Sequence, residues 1–166
     1  DDGAILTNRG KQATVNLDFN KADTTAAVAN IWHGHFTGNV DVKNTVTPGT
    51  QNDFVMDGGM DTQGSFTQEN GRLFIQGHPV IHAASSQGVA DKLKTLGDNS
   101  VLTQPVSFTQ NDWETRQFSM QQLNLRNAEF SLARNASLST NIIADHSTVT
   151  LGSEDLYIDL NDGNGV

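Results

Sequence analysis

The sequence predicts an all-β fold built as a solenoid, and three observations carry that expectation. Short segments with strand-like alternation recur along the chain, each too short to be a helix. Asn, Asp and Gly separate them, residues that turn the chain by side-chain to backbone bonding and by tolerating positive φ. Only three prolines occur in 166 residues, as expected where most backbone N–H groups serve ladders on both sides.

Taken in order, the strand segments are "ATVNLDF" (Ala13 to Phe19), "GNVDV" (Gly38 to Val42), "GRLFIQG" (Gly71 to Gly77), "LNL" (Leu123 to Leu125), "AEFSLA" (Ala128 to Ala133), "TVTLG" (Thr148 to Gly152) and "LYIDL" (Leu156 to Leu160). The tripeptide Arg126-Asn127-Ala128 returns as Arg134-Asn135-Ala136, and the corner Asp145-His146-Ser147 follows at similar spacing. Three such strand-and-corner units would make a coil of roughly 24 residues, and about seven coils in all. The same spacing suits a β-sandwich. The scarcity of hairpin dipeptides such as Asn-Gly between paired strands puts the solenoid ahead.

One segment breaks the pattern. "SSQGVADKLKTLG" (Ser85 to Gly97) sets Val89, Leu93 and Leu96 at i, i+4 and i+7, with serines as N-cap and Gly97 as stop, so it reads as a short amphipathic α-helix. Residues 85–112 form a helix-containing excursion within a single unit spanning residues 1–166, and the chain is expected to rejoin the wall near Trp113. The apolar stripe is expected to dock on the wall. The other use for Val89, Leu93 and Leu96 is contact with a partner.

Composition narrows the function classes. A net charge of −9 and a pI near 4.7 oppose binding to nucleic acid or acidic membranes. The absence of cysteine excludes disulfides, thiolate metal sites and cysteine nucleophiles. Apolar runs are far short of the roughly 20 residues that a spanning helix needs, so no membrane contact is expected of this segment. "DDGAILTNRG" is neither basic nor apolar enough for a signal peptide, and the chain reads as a piece of something longer.

The histidines are the main candidates for chemistry. His78 and His82 are four apart, but Pro79 between them and the strand before them remove the helical geometry in which such a pair chelates one ion. In an extended chain they would stand about 13 Å apart. His33 and His35 in "IWHGHF" would share a strand face about 7 Å apart, with Trp32 and Phe36 on the other. No acidic or sulfur residue within that motif completes a ligand set. Corner hydrogen bonding or packing is therefore expected, with no cofactor and no metal. Haem or metal held by His33, His35 and one of His78 or His82 remains the competing function.

No catalytic motif emerges. "LGDNSVL" places Asn99 where a protease nucleophile loop needs serine, and no G-x-S-x-G occurs. "DLNDGNG" fails as a calcium loop.

The ordered set "NGRLFIQGHPVIHA", "VADKL", "GDNSVLTQPVSFTQNDWETRQF", "LARNASL" and "HSTVTLG" closely resembles the passenger domain of the serine protease autotransporters of enteric bacteria, over nearly the whole chain. The resemblance implies a right-handed parallel β-helix, the stalk of these secreted virulence factors. In the family a protease domain of the S6 type precedes the stalk and an outer-membrane β-barrel follows it. No family catalytic residue maps onto this chain, so it is expected to be non-catalytic although its parent is a serine endopeptidase. The implied partners are the rest of the same passenger, an N-terminal protease domain and further C-terminal β-helix, with host proteins or glycoproteins as the alternative. The implied location is the cell surface or medium of a Gram-negative bacterium, after periplasmic transit and outer-membrane translocation by type V secretion.

Overall fold

The computed structural model describes residues 5–19, 28–50, 52–79, 101–102, 113–133, 136–153 and 158–159. Every regular element among them is a strand, and two parallel sheets carry the architecture. The first stacks β1 (Ile5–Phe19), β3 (His35–Val46), the pair β5 (Met60–Thr62) and β6 (Ser65–Glu69), β11 (Arg116–Arg126) and β13 (Ala136–Asp145). The second stacks β2 (Val28–Trp32), β4 (Asn52–Met56), β7 (Arg72–Ile75), β12 (Glu129–Ala133) and β14 (Thr148–Ser153). Each strand lies beside its counterpart one coil on, which is the connectivity of a solenoid and not of an antiparallel sandwich.

The first sheet folds along its own strands. Register shifts between Asn8 and Ala13 and between Ser119 and Gln122, together with the break between β5 and β6, fall at one level and turn the sheet into two faces. With the second sheet this gives the three faces per coil that the sequence suggests. The second corner is built by Asn70, Asn127 and His146, all at positive φ (61°, 49° and 48°). Their backbones connect successive coils, Asn70 N–H donating to Arg126 O and Asn127 N–H to Asp145 O. The corners at Asn127 and His146 are where the turn chemistry placed them, the corner at Asn70 was not anticipated, and the one expected at Asn135 lies outside the described residues.

Coil length matches the 24-residue expectation between Asn44 and Gln68, whose side chains are hydrogen-bonded at 2.8 Å with that separation. Later the coil shortens to 19, as between Ala128 and Ser147. From Thr67 to Asn124 the step is 57 residues. There β8 (His78–Pro79) and β10 (Trp113–Glu114) pair antiparallel, Trp113 opposite Pro79, and form the neck of an insertion. The chain re-enters the first sheet with β11, which begins at Arg116 just after β10. A last two-residue pair joins β9 (Val101–Leu102) to β15 (Ile158–Asp159). Against the seven coils expected of the whole chain, the described residues form five layers, with β6 paired directly to β11 and β7 to β12. The helix expected over Ser85–Gly97, with Val89, Leu93 and Leu96, lies outside the described residues, as does His82.

The core is a set of columns, one residue per layer. On the first face Leu6, Phe36, Met60, Phe118 and Leu138 stand in register. On the next Val15, Val42, Phe66, Leu123 and Ile142 do so. On the third, Phe54, Leu73, Phe130 and Val149 follow the same rule. The three middle members of the first two columns, and Phe54, Leu73 and Phe130 of the third, are fully buried, which is where apolar burial stabilises the stack. On the opposite side of the second sheet, Val55 and Phe74 form a separate buried cluster with Ile31, so the sheet is covered on both faces in those layers.

Candidate functional site

The chemistry gathers at the third corner, where the second sheet ends. Trp32, Met56 and Ile75 are the register-matched last residues of β2, β4 and β7. The ladder continues one step beyond them, Asp57 N–H donating to Trp32 O and Gln76 N–H to Met56 O. The chain then turns at Gly34 in one coil and at Gly58 in the next. A Cβ on Gly58 would stand 2.0 Å from Gly34 O and 2.2 Å from His33 O, so only glycine permits this approach of the two corners.

That approach brings His33 onto Asp57, one coil and 24 residues away. His33 Nδ1 lies 2.8 Å from Oδ1 and 3.1 Å from Oδ2 of the carboxylate. His78, from the coil after, places its Nδ1 3.5 Å from Oδ2. The two imidazoles meet edge to face, ring centroids 5.7 Å apart. The site is nearly dry, with side-chain exposures of 12% for His33, 1% for Asp57 and 8% for His78. Burial by itself would raise the Asp57 pKa. The hydrogen bonds from His33 and His78, helped by the charge on each ring, outweigh it and hold the carboxyl below its ordinary 3.8.

The histidines thus separate into different roles. His33 and His35 do not share a strand face, because β2 ends at Trp32 and the bend at Gly34 intervenes before β3 begins. His35 Nδ1 instead sits 3.3 Å from Gly58 O. Trp32 and Phe36 do turn away from them into the core, stacked at 5.0 Å. His33 and His78 are brought together, which neither local motif indicates. Asp57 is the residue that local motifs miss, since it comes from a different coil. The coil period would have found it: 24 residues after His33 stands Asp57.

Among the described residues, His33, Asp57 and His78 are also the group able to hold a metal ion, with one donor atom from each within 4.8 Å of the others. They do not form a nucleophilic apparatus, since all three side chains turn on one another. The described strands define a parallel β-solenoid. The family profile described as the PIC/HAP1/IgA0 second beta-solenoid repeat region matches residues 38–157, and the chain belongs to this family of serine protease autotransporter passengers.

Serine protease EspP of Escherichia coli is 31% identical over 193 residues, covering all of this chain and 14% of the relative. The serine protease SepA autotransporter of Shigella flexneri is 35% identical over 170 residues, covering 96% of this chain and 11% of the relative. Among solved structures, the passenger domain of plasmid encoded toxin, an autotransporter enterotoxin from enteroaggregative Escherichia coli, superposes with a TM-score of 0.62 at 27% identity, over 99% of this chain and 21% of that one. The chain therefore spans a small part of the length of its relatives.

Proposed function

We propose that this chain is a non-catalytic stalk segment of a secreted serine protease autotransporter, a right-handed β-solenoid that supports and spaces the protease domain and aids secretion by folding coil by coil. The observation that carries the reading is the change in burial along the columns. Phe130 is 1% exposed, while Val149, its partner in the next layer, is 38% exposed and Leu151 beyond it 66%. An apolar column that stays apolar at its open layer is a seat for another coil of the same passenger. The right hand follows from the general preference of parallel crossover connections in one sheet, and layer-on-layer stability suits progressive folding outside the cell.

The test is Leu151→Lys in the untruncated protein. If a further coil covers this face, the charge is buried against it and thermal stability falls by about 2 kcal/mol or more. A change within about 0.5 kcal/mol, as at a free surface, would overturn the stacked reading. The non-catalytic part is tested separately, by casein turnover. Activity that is lost on replacing a serine of this chain would sink it.

A further inference from the structure

We propose that His33, Asp57 and His78 form a binding site for one divalent transition-metal ion of the zinc class, pinning three successive coils at the neck of the insertion. Two imidazole nitrogens and a carboxylate oxygen are a donor set that zinc-class ions take, with bond lengths of about 2.0–2.2 Å. Donors around a tetrahedral ion at such lengths stand about 3.3 Å from one another. The distances from Asp57 to His33 (2.8 and 3.1 Å) and to His78 (3.5 Å) bracket that separation. The widest separation in the trio is within 4.8 Å, so one ring moving inward by about 1.5 Å closes the set.

Position supports the assignment. The three donors come from three different coils: His33 and Asp57 directly follow the register-matched strand ends Trp32 and Met56, and His78 stands three residues after Ile75, so the backbone ladder sets their mutual placement. Gly58 keeps the two upper corners in contact. His78 opens β8, and β8 with β10 is the neck through which the insertion joins the wall. An ion here would tie the neck to the two preceding coils and add its binding free energy to the folded state. His33, the most exposed of the three, gives the route for entry. Loading displaces the protons on the coordinating nitrogens to solvent, and the carboxylate offsets half the charge of the ion. The inference goes beyond the stalk reading and stands whether or not that reading holds.

The experiment is a calorimetric titration of the untruncated, EDTA-stripped protein with Zn²⁺, repeated with Co²⁺ and Mg²⁺. One saturable Zn²⁺ site per chain is expected, with d–d bands on Co²⁺ loading and no competition from Mg²⁺. His33→Gln and His78→Gln each weaken Zn²⁺ affinity at least tenfold, while His146→Gln at the exposed corner leaves it unchanged. Imidazole NMR of the wild type gives a readout independent of whether the variants fold: Zn²⁺ shifts the ring signals of His33 and His78 and not that of His146. Absence of saturable binding, or binding that survives both glutamine variants or moves only His146, overturns the site and leaves the trio as a charge-compensated clamp.

Discussion

At the scale of single residues, Asp57 shows how a dry carboxylate is kept charged inside a sheet protein. Its folded-state pKa is depressed, so the stability it contributes is fully present above the ordinary value of 3.8 and is lost as pH falls through the lower folded value. In EDTA, circular dichroism should show that Asp57→Asn is less stable near neutrality by about 1.5–3 kcal/mol. The same variant should lose less stability than wild type on acidification below 3.8; a parallel acid limb would remove Asp57 from the linkage. Gly58→Ala tests the corner itself. Its Cβ would meet the carbonyl oxygens of Gly34 and His33, so a loss of order 3 kcal/mol is expected in thermal melts. Neither effect is visible in "MDGGMD" read alone, which looks only like a turn. The side-chain partners were hidden because stacking across coils, and not proximity in sequence, brings His33 to Asp57.

At the scale of elements, alternation located most of the wall strands, since inward residues had to be apolar and outward ones polar. It understated the length of β1, β3 and β11, which run on through a bend where the alternation changes phase, and it missed β13 altogether. The turn residues were legible for a separate reason. Asn127 holds φ of 49°, a conformation that Asn tolerates and Ala does not. Asn127→Ala should therefore cost about 1–2 kcal/mol and Asn127→Gly markedly less, measured by denaturant midpoint. Equal losses would mean that the side chain, and not the backbone conformation, matters at this corner. Phe74 was read as part of a strand but not as buried outward of it. No period of two can signal that, because the cover comes from elsewhere in the fold.

At the scale of the whole molecule, each layer touches only its neighbours, so stability should vary along the stack instead of being uniform. The inner columns through Phe66 and Leu123 are closed on both sides, whereas Ile142 above Leu123 is 39% exposed. Amide hydrogen exchange reads this directly. In β6 and β11 the ladder is paired on both sides, and exchange there requires opening two interfaces at once; among the described residues β13 pairs only with β11. If the chain's layers stood by themselves, β13 and β14 would exchange faster than β11 and β12, and protection would fall from the middle outwards. If a further coil of the same passenger seats on Ile142, Val149 and Leu151, the amides of β13 and β14 gain acceptors or cover, and the fall disappears at that end. The stalk reading therefore predicts that, in the untruncated protein, β13 and β14 exchange at rates close to those of β11 and β12. A steep rise in exchange from β12 to β14 would show an open end there and would make this face a terminus of the solenoid instead of a joint within it.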